Sequence, residues 1–490
     1  MNLSSMRRRE FLQTAAATVG ATALGSALAA CGGPGASVPA GTITLAYWDW
    51  WQSQAPWVDN EIKLFQQAHP KIRITKTTQL SANYTNLFSL AAKSNKLPDV
   101  AMIPGTISLP QQINSGWFMP VDKWANTSWQ AQFPKGNFYE GSDMFNGKIY
   151  SAPQTTGGAT FQLYINHNVF KQAGLTNADG SVQLPKTWDD VTHAAEAIVK
   201  KSGGSVYGLG LGNSTTPLLP WWMEVFTRGA GSPCNASTPD YRTGKWTFGT
   251  DRNYLDFIQL LLEWKQKGYI YPNAISATDE AARAAFSRGQ FGMTVGGVWN
   301  QAEWTTNTFT DYSLVGLVAP TQQMQGYYYK APGGVWLGIS NHTQHADEAW
   351  AWFDWMYSPA AGKRWVQMGE DLSVFPQNDD PSLVKFAPFA QYVAAASLSL
   401  NGPSPAIHNP QTSKVVQATV AKDINSTMVG AYTGQIQDIQ SALSETAGRY
   451  QQALTTGITQ AVQQGAKVSI NDYIFPDWDI TKPYTTKPNS

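Results

Sequence analysis

Thr42-Ile43-Thr44-Leu45-Ala46-Tyr47-Trp48-Asp49-Trp50-Trp51, residues 42–51, begins an alternation of short extended and helical segments. Its β-branched and aromatic residues predict a strand running into a tryptophan-rich carboxyl end. From Trp57 to His69, apolar Val58, Ile62, Leu64 and Phe65 recur at helical spacing until Pro70 stops the pattern. Lys71-Ile72-Arg73-Ile74-Thr75 alternates as a second strand, Asn83 to Ser94 reads as a second helix, and Asp99-Val100-Ala101-Met102-Ile103 as a third strand stopped by Pro104-Gly105. Strand, helix, strand, helix, strand with short connections predicts a parallel sheet with crossover helices. Ligands of such sheets sit beyond the carboxyl ends of the strands, which places Trp48 to Gln52 and Pro104 to Thr106 near a site.

The same grammar continues toward the C-terminus. Gly147-Lys148-Ile149-Tyr150-Ser151-Ala152-Pro153 leads through Gly157-Gly158 into a strand, Phe161-Gln162-Leu163-Tyr164-Ile165-Asn166. Helices follow at about residues 168–173 and 188–200, the second opened by Thr187 as N-cap. Phe291 to Val295 is a short strand ending in Gly296-Gly297-Val298-Trp299. Residues 333–340, Gly333-Gly334-Val335-Trp336-Leu337-Gly338-Ile339-Ser340, form another that enters a helix at residues 347–357, and residues 415–461 read as mostly helical and polar.

Upstream of residue 42 the chain carries an address. Arg7-Arg8-Arg9-Glu10 precedes a weakly apolar, Ala-rich run that ends in Leu28-Ala29-Ala30-Cys31, the layout of an export signal. Arg8-Arg9-Glu10-Phe11-Leu12 resembles a twin-arginine signal, and Leu28 to Cys31 resembles a bacterial lipobox in which Cys31 is acylated and becomes the first mature residue. Residues 1–30 are thus expected to be a signal peptide and 31–41, small and uncharged, a flexible spacer. Beyond the signal no stretch approaches the ~20 apolar residues of a membrane span, so the only membrane contact expected is lipid on Cys31.

Removing residues 1–30 turns 34 basic against 34 acidic residues into 31 against 33, a formal net charge of −2, with no electrostatic footprint for nucleic acid. Cys234 then has no partner for an intrachain disulfide, so stability must come from a large core. The 460 residues from Cys31 onward exceed the ~250–300 over which one core grows, which predicts two lobes. The unusual number is 20 Trp, with 20 Tyr and 20 Phe, against only 14% charged residues. Indole is a flat apolar plate with one donor, suited to the C–H faces of sugar rings. Many of these rings sit at helical spacing and pack instead; Trp264, Trp350, Phe353 and Trp355 read as core.

The order of these segments carries a resemblance. A lipobox and short spacer, then Thr42 to Trp51, Asp99 to Met102, Gly147 to Pro153, Tyr164 to Leu175, Pro185-Lys186-Thr187-Trp188-Asp189-Asp190-Val191, Phe286 to Met293, Trp299 and Gly333 to Trp336 resemble the extracellular solute-binding protein family 1 of carbohydrate ABC transporters, the maltodextrin-binding type. The resemblance spans nearly the whole mature chain. It departs from the family where a usual tyrosine-asparagine-lysine reads Tyr164-Ile165-Asn166-His167, and where Trp50-Trp51 is more aromatic than common.

The resemblance implies an α/β, two-lobed periplasmic-binding-protein-like (type II) fold, each lobe a mixed or parallel sheet flanked by helices. Residues 42–163 and 336–375 would form lobe 1, 164–335 lobe 2, and 376–490 a C-terminal helical part mainly on lobe 2. Tyr164-Ile165-Asn166 and Leu337-Gly338-Ile339 are short extended segments placed to serve as hinges. The implied function is capture of a neutral sugar or oligosaccharide in the interlobe cleft and delivery to permease subunits, by a monomer lipid-anchored through Cys31 on the extracytoplasmic face, without cofactor or catalysis. For the site the resemblance points to Trp50, Trp51 and Gln52 after the first strand, to Gln154 and Thr155 after Pro153, to Trp221 and Trp222, and to Trp299 and Trp336 behind their glycine pairs. Glu224 and Glu370 are weaker candidate partners for hydroxyls, since a lone acid is by default solvated.

Rival readings find less support. A glycoside hydrolase needs two carboxylates about 5–5.5 or 6.5–9.5 Å apart, and no pair stands out: Asp189-Asp190 reads as favourable charge at a helix start, and Glu370-Asp371 has no evident partner. His342 and His345 lie in a polar turn without a metal-ligand set, and no nucleophile elbow or phosphate loop is present. Within the same fold a peptide or polyamine is the alternative ligand, but a polyamine site wants several acids among its aromatics, and these candidates are aromatic and amide-rich.

Overall fold

Strand propensity and register decide the architecture. The computed structural model describes residues 40–155, 161–331, 333–384, 386–396 and 399–489. The export signal, Cys31, nearly all of the spacer and the Gly157-Gly158 turn lie outside the described residues. The chain separates into Met1–Thr42, of which only the turn at residues 40–42 is described, and Ile43–Ser490, which holds everything below.

The strands in chain order are β1 (Ile43–Asp49), β2 (Ile72–Thr78), β3 (Val100–Met102), β4 (Met144–Phe145), β5 (Lys148–Ile149), β6 (Gln162–Asn166), β7 (Tyr207–Leu209), β8 (Phe291–Gly296), β9 (Tyr312–Val315), β10 (Tyr328–Lys330), β11 (Leu337–Ile339) and β12 (Ser399–Asn401). One sheet has the order β11-β3-β1-β2. In it β1 runs parallel to β2, Ile43 facing Ile72 and Asp49 facing Thr78, and parallel to β3, while β11 returns antiparallel with Gly338 opposite Ala101. The second sheet has the order β7-β8-β6-β9, with β6 antiparallel to both neighbours and β7 parallel to β8. Each sheet with its helices is one lobe of a two-lobed α/β fold.

The helices form where the apolar spacing predicts them. The helix Ala55–Ala68 lays Trp57, Val58 and Phe65 onto the first sheet. It also buries Glu61 completely, which is possible because Arg364 grips both carboxylate oxygens at 2.6 and 2.5 Å and Trp355 Nε1 donates at 2.9 Å. That contact ties the helix to Ala346–Met356 and Pro359–Gln367, far along the chain. Thr187 caps the helix Trp188–Lys201 in a reciprocal capping box with Asp190, so Asp190 has a local structural use. Asn166, at the departure from the family's usual motif, caps the helix His167–Gln172 through Val169 N–H, and its Nδ2 donates to Phe286 O.

The period of 2 along β6 explains how the second sheet is buried on both faces: Phe161, Leu163 and Ile165 enter one hydrophobic cluster, Tyr164 the other. Within β6, Tyr164 and Ile165 are paired on both sides and Asn166 with Tyr312 alone, while Leu337-Gly338-Ile339 pairs with β3 at the edge of the first sheet. The chain leaves the first sheet after β3, enters the second at β6, returns to the first at β11, and later packs helices on the second lobe again. Beyond β12, the helices Ile424–Thr433 and Ile439–Gln463 pack with Leu218–Thr227 and Arg252–Gln266, and the final residues double back: Tyr484 N–H donates to Asn401 O at 2.8 Å and Asn489 N–H to His408 O at 2.7 Å. No described helix is long and apolar enough to cross a membrane.

Candidate functional site

Two sets of aromatic rings lie near the points where the chain changes lobe. On the first lobe, Trp51 stacks on Trp336 and on Trp365, ring centroids 4.8 Å apart in both pairs, with Trp57 edge-on to Trp365. The parallel strand β1 delivers Trp51 from its carboxyl end, and β11 begins one residue after Trp336. On the second lobe, Trp221 stacks on Phe161 at 4.4 Å with planes inclined by 14°, and Trp299 stands edge-on to both. Trp299 is half-buried and packs against both hydrophobic clusters of the molecule.

The expected site residues divide accordingly. Trp51, Trp221 and Trp299 remain partly exposed members of these sets. Trp336 is only 5% exposed, and Trp51 covers one of its faces. It is a buried plate within the stack, not the open one that was expected. Trp222 is corrected to core: it has no exposed surface and stacks on Phe226, because successive residues of a helix point about 100° apart and Trp221 takes the outer direction. Trp50 packs edge-on against Tyr84, apart from the Trp51 stack, and Gln52 is exposed in the turn that starts the helix Ala55–Ala68. Gln154 is buried and its carbonyl accepts from Val374 N–H, with Thr155 half-buried beside it at the lobe crossing.

The glycine pairs also serve packing. A Cβ on Gly297 would stand 2.1 Å from the Trp299 ring, and one on Gly296 would stand 2.0 Å from Asn300 Nδ2. The missing side chains make room for Trp299 and Asn300, a use that needs no ligand.

Carboxyls occupy this region more densely than the sequence suggested. Glu370, a candidate hydroxyl partner from the sequence, is 3% exposed, and its Oε2 has no hydrogen-bond partner among the described residues. Burial, with the Asp371 charge beside it, pushes its pKa up to about 8. Its backbone N–H donates to Trp365 O, which anchors it to the first aromatic set. Asp371 accepts from Tyr392 OH at 2.5 Å and is raised to about 6 by burial. It also acts on the Tyr164 hydroxyl, which donates to Gly297 O at 2.8 Å, two residues before Trp299. Glu224, in contrast, is spoken for by Arg228 Nη2 and Asn235 Nδ2, both at 3.3 Å.

Sequence reasoning missed Trp365 and Phe161 as members of the aromatic sets and Asp371 as a companion of Glu370. The only available signal was their nearness in sequence to Glu370, Gly157-Gly158 and the helix end. A separate cavity of about 770 Å³ opens on the second lobe, lined among others by His167, Lys171, Lys186, Asp190, His193 and Gln391. None of its lining residues is Trp, Tyr or Phe, so it offers no plate for a ring.

Comparison with known proteins agrees with this architecture. The family described as "Bacterial extracellular solute-binding protein" matches residues 49–363. An ABC transporter solute-binding protein from Thermotoga lettingae bound with α-D-tagatose is 20% identical, with a TM-score of 0.63 over 84% of this chain and 99% of its own. The GacH receptor of Streptomyces glaucescens, determined unliganded and with acarbose, is 17% identical with a TM-score of 0.63 over 84% and 98%. The sugar-binding protein MalE from Xanthomonas citri is 17% identical with a TM-score of 0.57 over 87% and 100%. No curated protein sequence matches the chain. Collinear motifs, two lobes with these sheet orders and a family match over most of the chain lead to one conclusion: this chain belongs to the bacterial extracellular solute-binding protein family.

Proposed function

We propose that this protein is a saccharide receptor of an ABC import system, binding its ligand between the two lobes and handing it to permease subunits. The observation that carries the reading is the placement of two aromatic sets, Trp51 with Trp336 and Trp365, and Trp221 with Trp299 and Phe161, on different lobes beside the crossing segments. Partly exposed indoles on each lobe match a polyhydroxylated ring better than a peptide backbone. The tagatose, acarbose and MalE structures, which share the fold, support the same ligand class. Trp50, Gln52, Gln154, Thr155 and Glu370 complete the proposed site, with Trp336 and Trp365 as its floor. Closure of the lobes would signal loading, and acylation of Cys31 would hold a monomeric receptor on the extracytoplasmic face close to its permease.

A thermal-shift screen against mono- and oligosaccharides, with amino acids, peptides and polyamines as controls, tests the reading, because a ligand that binds only the folded state raises Tm. A saccharide that raises Tm, is not consumed over hours and loses its effect in Trp299→Ala supports a receptor. Slow consumption of the sugar would replace the receptor with a hydrolase, and a shift from peptides alone would remove the sugar.

A further inference from the structure

Away from the aromatic sets, the cavity of about 770 Å³ on the second lobe holds three side chains in a hydrogen-bonded row that no local pattern brings together. His167 Nδ1 lies 2.7 Å from Asp311 Oδ1, and His167 Nε2 lies 2.6 Å from Ser313 Oγ. A carboxylate only accepts, so Nδ1 carries the ring proton, and Nε2 accepts from the Ser313 hydroxyl. His167 and Ser313 both line the cavity.

Strand register builds this row. Asn166 pairs with Tyr312, so the next residue, His167, stands beside Asp311 and its N–H donates to Asp311 O at 3.2 Å. Asp311 and Ser313 flank Tyr312, and with a period of 2 they share one face of the strand while Tyr312 enters the core on the other. Lys171 Nζ, 3.5 Å from Asp311 Oδ2, steadies the second carboxylate oxygen. From the helix Ala387–Ala396, Gln391 Oε1 accepts from Leu314 N–H at 3.0 Å, and Nε2 donates to Ser313 Oγ at 3.2 Å. That amide nitrogen has a second hydrogen for an oxygen beside Ser313.

We propose that Ser313, His167 and Asp311 form a hydrolytic triad that cleaves short-chain carboxylic esters in this cavity, an activity separate from solute capture. Nucleophile, base and orienting acid each lie within hydrogen-bond reach of the next, which is the arrangement a serine nucleophile requires. Paired strands hold the three in place without a nucleophile elbow. Val182, Leu184 and Pro185 give the cavity an apolar wall for the acyl chain, and its volume suits a small ligand.

Ser313 Oγ adds to the ester carbonyl carbon as its proton passes to His167 Nε2, and the carbonyl electron pair moves onto oxygen, facing Gln391 Nε2. Collapse breaks the bond to the alcohol oxygen, and the alcohol leaves with the proton held by His167. Water then adds to the acyl-serine, giving a proton to His167, and the second collapse expels Ser313 Oγ, which takes that proton back. The sum is ester plus water to acid plus alcohol. A single side-chain donor for the oxyanion suits esters, whose alcohols leave readily, better than amides.

The test measures hydrolysis of p-nitrophenyl acetate and butyrate near neutral pH, alongside labelling by a fluorophosphonate probe located by peptide mapping. The parent protein should hydrolyse the acetate at least about a hundredfold faster than Ser313→Ala, and the probe should add once, on Ser313. His167→Gln should abolish both signals, and Asp311→Asn should slow hydrolysis about tenfold or more. Each variant is checked for an intact melting transition; if His167→Gln does not fold, Ser313→Ala, which deletes one oxygen, decides alone. Equal rates in the parent and Ser313→Ala, or a label on another residue, overturn the proposal and leave the saccharide receptor standing.

Discussion

Trp51 and Trp336 stack with centroids 4.8 Å apart and planes 24° inclined, although they are 285 positions apart in the chain, and Trp51 is half-buried where Trp336 is buried. The parallel strand β1 and the antiparallel strand β11 flank β3 on opposite sides, and their ends bring the two rings together. One ring can meet a ligand while the other holds it in place.

That division of labour separates two substitutions. Trp336→Ala removes a buried plate and should cost about 3–5 kcal/mol of stability. Trp51→Ala should cost less in stability and more in saccharide affinity. Urea unfolding and ligand titration on both variants check this, and equal stability losses would contradict it.

On the second lobe the contrast lies between neighbours. Trp222→Ala should destabilise by about 3–5 kcal/mol because Trp222 is wholly buried against Phe226. Trp221→Ala should leave Tm closer to the parent and lower affinity about tenfold through loss of a stacking face.

Gly297→Ala should act through Trp299. The added methyl would stand 2.1 Å from that ring, so the indole must move. Saccharide affinity should fall while far-UV circular dichroism stays unchanged. An unaltered affinity would detach Trp299 from the site.

Stability should decline from pH 5 to pH 8. Burial raises Glu370 from 4.5 to about 8 and Asp143 from 3.8 to about 8. Between the ordinary values and these, the folded state holds more protons than the unfolded state, so unfolding becomes easier as pH rises. Tm should be at least about 2 °C higher at pH 5 than at pH 8. Glu370→Gln or Asp143→Asn should flatten the slope, and a Tm that rises over this window would contradict the assignment.

Deleting residues 478–490 should loosen the lobe junction. The deletion removes the Trp478 ring from Tyr329, 4.5 Å away, and the bonds of Thr486 Oγ1 with Ser404 N–H and of Tyr484 N–H with Asn401 O. Limited proteolysis should then cut near residues 399–408 faster than in the full chain.

Legibility in the sequence followed the range of each interaction. β1, β2 and β3 and the helix Trp188–Lys201 were readable because β-branching, apolar spacing, Pro70 and the Thr187 cap act within a few residues. The period of 2 in β6 was readable as well, but its pairing with both β8 and β9 was not, because the partners lie more than a hundred residues downstream. Trp221 and Trp222 look alike in a string of letters; only the helix rotation separates a half-buried ring from a core ring.

By itself, then, the sequence determined the local elements, their order, the family and the wealth of indole, since propensity, capping and periodicity are written in neighbouring residues. The tertiary structure alone decided that Trp336 is a floor beneath Trp51, that Gly297 makes room for Trp299, and that Glu370 is buried. Stacking, desolvation and charge depend on which distant segments meet, and no local pattern records that meeting.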